Sequence, residues 1–147
     1  MTFDFTTLYT KIPHNLLIEA LNEITDFCFK GGVSNAVYVN NFGAGWRNNG
    51  NVRSYSKLAV KRAVKYVIEN AFFQVGYMLF RQKIGIPIES DPAPFFANLF
   101  LYVYESKFID NLVKTDLVRA LKFRHVFRFI DDLVSLNDDG EFNRSYR

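Results

Sequence analysis

The spacing of apolar residues changes period along the chain, and that change limits the fold more than any other feature. Leu58, Val64, Val67, Ile68 and Ala71 form a broad apolar stripe at helical spacing, which predicts a helix from about Ser56 to Asn70. From 72 to 83 the pattern turns two-fold. Phe73, Val75, Tyr77 and Leu79 alternate against Phe72, Gln74, Met78 and Phe80, with Val75-Gly76 placed for a hairpin turn. A loop through Gly85 and Pro87 then reaches Asp91-Pro92, an N-cap and first-turn proline for an aromatic helix to about Ile109. That helix lacks a polar face, so burial on most sides is expected. Residues 110–122 keep helical character, and 123–136 read as two strands with Asp131-Asp132 at the tip between them. The order is α+β, with helices packed on one face of an antiparallel sheet.

Upstream, residues 2–9 mix Thr, Phe and Tyr and read as a strand that stops where Pro13 suits the first turn of a helix. Leu17, Leu21, Ile24 and Cys28 carry that helix, and Gly31-Gly32 ends it. The Asn- and Gly-rich stretch from about Ser34 to Tyr55 reads as a long loop.

Composition narrows the chemistry. In 147 residues, 49% of them hydrophobic, there is material for one domain with one core. One cysteine, Cys28, rules out an internal disulfide and a thiolate cluster, and with two histidines, His14 and His125, a zinc site is poorly supplied. A bound metal would therefore rest on oxygen ligands. The net charge of +3 is compatible with a polyanionic partner without pointing to one. No run of about 18 apolar residues is present, and Met1-Thr2-Phe3-Asp4 has no basic leader, so a soluble chain with no membrane partner is expected.

Asp131-Asp132 lie between Phe127-Arg128-Phe129-Ile130 and Leu133-Val134-Ser135-Leu136, so two buried-type strands would present adjacent carboxylates at a tight turn. An ordinary solvated turn is the competing account, because Asp is a common turn residue. A third carboxylate would decide for chemistry, and Asp4, in a Phe-rich strand segment, can supply it if the two strands lie side by side. Clustered carboxylates raise one another's pKa and are tolerated mainly when divalent cations neutralise them. Two magnesium ions about 3.5–4 Å apart are what in-line phosphoryl transfer uses.

Four strings occur in order: Phe3-Asp4-Phe5-Thr6-Thr7-Leu8-Tyr9-Thr10-Lys11-Ile12-Pro13-His14, Gln82-Lys83-Ile84-Gly85-Ile86-Pro87, Ala93-Pro94-Phe95-Phe96-Ala97-Asn98-Leu99-Phe100 and Phe129-Ile130-Asp131-Asp132. Together they resemble the reverse transcriptase family, nearest in look to Penelope-like retroelements, over almost the whole chain. The resemblance implies a polymerase palm, an antiparallel sheet with helices on one face, from which fingers and thumb are largely missing at the two ends. It implies Asp4 and Asp131 as the main ligands of two magnesium ions (manganese as a substitute), with Asp132 in support. Tyr9 matches the aromatic that lies under the incoming sugar and excludes a 2′-hydroxyl. Gln82, Gly85, Pro87 and Phe129 would meet template or nucleotide, and the partners would be an RNA or DNA template with its primer and deoxynucleoside triphosphates. A nuclear location is implied by the resemblance alone, and nothing resembles the GIY-YIG endonuclease that Penelope-like members carry.

Two departures stand out. Phe129 takes a place that is usually Tyr, keeping the ring and losing the hydroxyl. Glu89 stands where the family carries Gly, adding bulk and negative charge beside phosphates, which opposes substrate binding. Little activity in isolation is expected.

Lys57, Lys61 and Lys65, spaced by four with Arg62 adjacent, make a basic stripe that could follow a nucleic-acid backbone or simply face solvent; Glu69 can offset Lys65. Phe72, Phe73, Phe95, Phe96 and Phe100 follow the strand and helix periods and read as core rather than as base-stacking platforms. A second functional reading is a catalytically dead retroelement remnant that at most binds nucleic acid through the basic helix.

Overall fold

The computed structural model describes residues 7–30, 34–48, 50, 52–87 and 90–136, together with the backbone of 2–4. In chain order these form β1 (Thr2–Asp4), α1 (Leu8–Lys11), α2 (His14–Lys30), β2 (Ala36–Asn40), β3 (Gly43–Gly45), β4 (Arg53–Ser56), α3 (Lys57–Glu69), β5 (Phe72–Val75), β6 (Met78–Arg81), α4 (Ala93–Thr115), α5 (Leu117–Lys122), a 3-10 turn at Phe123–His125, β7 (Val126–Phe129) and β8 (Asp132–Ser135). The class is α+β. Its strands do not join into the one sheet that the sequence suggests but into three small antiparallel ones, ordered β1-β8-β7, β3-β2-β4 and β5-β6.

The core forms where α2 meets α3 and α4. Leu17 is fully buried, and Ile12, Leu21, Ile68, Ile86, Ala93 and Ala97 close around it. The alanines of α4 at 93 and 97 let its backbone come close to that cluster, as small side chains do at a helix contact. The buried stripe of α2 is Leu17, Ala20, Leu21 and Thr25, and the Thr25 hydroxyl is satisfied by donating to the Leu21 carbonyl at 2.7 Å. Ile24 is only half-buried and Cys28 is exposed, so the stripe is rotated from the expected one. Two ion-pair sets reinforce the packing at its rim. Asp26 of α2 accepts from Lys61 at 2.7 Å and pairs with Lys57 at 3.2 Å, both on α3, while Glu23 of α2 takes Lys107 of α4 at 2.6 Å.

Other local expectations shift for identifiable reasons. In place of a strand continuing to residue 9, α1 starts at Leu8, and the Tyr9 and Ile12 carbonyls accept from the Ile86 and Gly85 amides of a distant loop. The stretch read as a loop from Ser34 to Tyr55 contains the β3-β2-β4 sheet: its Asn content serves turns, with the Asn40 side chain accepting from the Phe42 and Gly43 amides. Helix α3 follows the expected span, with Ser56 as N-cap accepting from the Ala59 amide. The hairpin of β5 and β6 turns at Gly76-Tyr77, one residue later than expected, with Gly76 at φ 60°.

Helix α4 runs past Ile109 to Thr115, and Pro92 rather than Asp91 holds its N-cap position; the Ser90 carbonyl accepts from the Ala93 amide. Only one stripe of α4 is buried, through Ala93, Ala97, Val103 and Leu112, whereas Phe95, Tyr102 and Tyr104 are exposed. Phe72 and Phe73 are exposed as well, since β5 and β6 have no covering layer on either face among the described residues. Phe96 and Phe100 do pack against the core. No helix among the described residues is long and apolar enough to cross a membrane.

Candidate active site

Strands β7 and β8 are joined by the two-residue turn Ile130-Asp131, so Asp131 stands at the tip and Asp132 opens β8. Strand β1 adds to the other edge of β8 in the register Thr2↔Val134, Phe3↔Leu133, Asp4↔Asp132. Directly opposed positions in antiparallel strands have Cα atoms about 4.5–5.5 Å apart. The backbone of Asp4 therefore lies beside that of Asp132, from opposite ends of the sequence. The Asp4 side chain lies outside the described part of the structure, as does Glu89. Among the described residues, Asp131 and Asp132 have neither a cation nor a hydrogen-bond donor against them, and no three His, Cys, Asp or Glu side chains gather as a metal site.

The strands are less buried than their composition suggests. Phe127 and Phe129 face outward at 57% and 76% exposure, and the inward position between them belongs to Arg128, whose side chain is only 10% exposed. Its guanidinium is satisfied on every side. Nε and Nη2 fork onto the Glu105 carboxylate at 2.5 and 2.9 Å, Nη1 donates to the Asn98 side-chain oxygen at 2.6 Å and to the Ile130 carbonyl at 3.0 Å, and Nη2 also reaches the Asn98 carbonyl at 3.3 Å. Asn98 and Glu105 are two turns apart on one face of α4, the span one planar fork covers.

Ile130 itself has φ 55°, a region a β-branched side chain rarely enters and which costs about 1–3 kcal/mol. Arg128, Asn98, Glu105 and Ile130 are not among the candidate residues that the sequence singles out. The available signal was an arginine between two phenylalanines in a strand, since an inward cation demands an anionic partner.

Tyr9 sits on α1, half-buried against the core. Burial, and secondly the nearby Asp131 carboxylate, raise its phenol above the ordinary value. Both effects favour the neutral phenol. The residue is thus a core tyrosine that also lies within electrostatic reach of the turn.

The Gln82–Pro87 segment is held mainly by this same part of the chain. Gly85 donates to the Ile12 carbonyl at 2.8 Å, Ile86 donates to the Tyr9 carbonyl at 2.7 Å, and His14 Nε2 meets the Gly85 carbonyl at 2.7 Å. A Cβ on Gly85, which has φ 80°, would fall within 3.0 Å of Tyr9 and Thr10 backbone atoms. The close approach that the glycine permits is thus to this chain's own backbone. Gln82 braces the segment by donating to the Ile84 carbonyl at 3.0 Å. Pro87, whose carbonyl accepts from the Ser90 amide and hydroxyl, lines with Gly85 a cleft of about 620 Å³ walled by Tyr66, Phe72, Phe73 and Phe96.

The basic stripe does not stand free. Lys57 and Lys61 share Asp26, and Lys65 pairs with Glu69 at 3.7 Å. A carboxylate beneath the lysines subtracts from the field that an approaching phosphate would feel. No family model matches the chain, and neither does a curated protein or a solved structure.

Proposed function

We propose that the chain is a reverse-transcriptase palm, carrying RNA-directed DNA synthesis by two-metal nucleotidyl transfer. What supports this reading is one relationship, the opposition of Asp4 and Asp132 across β1 and β8 with Asp131 next to them in the turn. Like charges directly opposed across strands are destabilising on their own. The donor set is hard oxygen, which suits magnesium or manganese, and Asp131 and Asp132 have no protein cation among the described residues to compete for them.

Asp4, Asp131 and Asp132 would hold the ions, whose chemistry is to lower the pKa of a primer 3′-hydroxyl and to stabilise the oxygen that leaves the α-phosphate. The chain's own residues do the rest. The hairpin β7–β8 carries two acids at its turn, α1 holds Tyr9 within electrostatic reach of Asp131, and the Gly85–Ile86 clamp fixes α1 against the core. Tyr9 in this place would discriminate against a 2′-hydroxyl. Phe129, exposed and opposite Asp132, offers its ring to a primer or nucleotide. The remnant reading relies on the Lys57, Lys61 and Lys65 stripe, whose charges are compensated.

Primer extension on an RNA template with magnesium tests the proposal, using a chimera that supplies fingers and thumb from a reverse transcriptase, with Asp131→Asn and Glu89→Gly versions alongside. Extension abolished by Asp131→Asn is expected. Activity that survives Asp131→Asn would remove the catalytic assignment, and inactivity of every version, Glu89→Gly included, would favour the remnant.

A further inference from the structure

The turn that carries Asp131 needs an explanation for its own shape. Ile130 occupies φ 55°, and a strained backbone of this kind persists only where its surroundings over-determine it. One side chain supplies that determination. Arg128 reaches forward along its own strand to donate to the Ile130 carbonyl at 3.0 Å, while the same Nη1 is anchored by the Asn98 side-chain oxygen at 2.6 Å. The other edge of the guanidinium is forked on Glu105. Arg128 and Asp132 lie at positions of opposite parity on the hairpin, since Arg128 is opposed to Leu133 and Phe129 to Asp132. The cation therefore supports the turn from beneath without neutralising Asp132 on the outer face.

We propose that Arg128, held by Glu105 and Asn98 of α4, is the positioning residue that sets the geometry, and hence the divalent-cation affinity, of the Asp131-Asp132 turn. This rests on the carboxylate reading above. Outer-shell partners that orient metal ligands typically change metal affinity by about 10–100-fold when removed. A merely structural ion pair would change stability and leave cation affinity alone.

Manganese binding to the 147-residue chain, followed by the loss of the free-ion electron paramagnetic signal, separates the two. Replacing both charges together, Arg128→Met with Glu105→Met, avoids stranding a buried ion and keeps the fold while deleting the bond to Ile130. The expected result is affinity weaker by about tenfold or more. Asn98→Ala, at an exposed position, removes only the anchor of Nη1, and a smaller weakening of severalfold is expected. It decides the question if the double variant does not fold. Lys107→Met with Glu23→Met, which removes a different ion pair of α4, is expected to leave affinity unchanged.

Asp131→Asn marks whether the carboxylates hold the ion at all. If Asp131→Asn weakens binding while the folded Arg128 and Asn98 variants stay within twofold of the parent chain, the positioning role is overturned and the carboxylate reading stands. If Asp131→Asn changes nothing, the carboxylate reading itself falls and takes this inference with it.

Discussion

Gly85 is pressed against the carbonyl of Tyr9, with no room for a side chain between them. Two constraints coincide there, the close approach and a φ of 80°. Gly85→Ala is expected to destabilise the fold by about 2–4 kcal/mol, because neither strand of backbone can move without losing the hydrogen bonds of Ile86 and Gly85. Gly76, at φ 60° but with open space around it, is the contrast: Gly76→Asn is expected to cost below about 1 kcal/mol. Urea denaturation of the two variants checks the difference.

Leu17 is the one large side chain that is wholly enclosed among the described residues. Leu17→Ala is expected to cost about 3–5 kcal/mol, the transfer of the lost methyl groups plus the cavity left behind. Thermal unfolding would show it as a large drop in Tm, and a shift no greater than that of a surface substitution would mean that α2 is not the centre of the core.

The Tyr9 phenol titrates above its ordinary value, through burial first and Asp131 second. A raised folded-state pKa means that stability is fully present below the unfolded phenol value near 10.0 and is lost as pH rises through the folded value. Tyr9→Phe is therefore expected to flatten the loss of stability above pH 10, and Asp131→Asn to lower the Tyr9 pKa only in part, since burial remains. Ultraviolet difference titration against Tyr9→Phe, in the parent and in the Asp131→Asn background, reads the Tyr9 pKa, and urea denaturation across pH reads the stability. A Tyr9 titration unmoved by Asp131→Asn would separate the tyrosine from the turn.

Asp26 is held below the usual carboxylate range by hydrogen bonds from Lys61 and then Lys57. Its folded pKa being depressed, the contribution is present above the unfolded carboxylate value and disappears as pH falls through the folded one. Asp26→Asn is expected to make the acid side of the stability profile shallower below about pH 4, an effect that shrinks in high salt because the pair is exposed.

The same pairing bears on nucleic-acid binding. Alanine at Lys57, Lys61 and Lys65 together is expected to weaken oligonucleotide affinity by less than the three free cations would, since Asp26 and Glu69 already take part of their field. The slope of log affinity against log salt measures it directly. A change of about three units would restore the stripe as a phosphate contact.

Elements whose information is local were legible from the amino acids alone. The span of α3, the extent of α2, the β5–β6 hairpin and the acidic turn of β7–β8 all follow from periodicity and turn chemistry within a few residues. The sequence also predicts Asp4 near the acidic turn, although only the strand order β1-β8-β7 makes that nearness a register.

Faces and partners were decided by the tertiary structure. Alternation in Phe127-Arg128-Phe129 says that two sides exist but not which one meets α4, and the guanidinium took the inner side because Glu105 and Asn98 were there to receive it. The need for glycine at position 85 has the same origin, a backbone that comes close only after the chain has folded around it. Periodicity is a property of neighbours along the chain. Which side is buried, and what a buried cation or a backbone carbonyl finds opposite it, depends on residues far away in sequence.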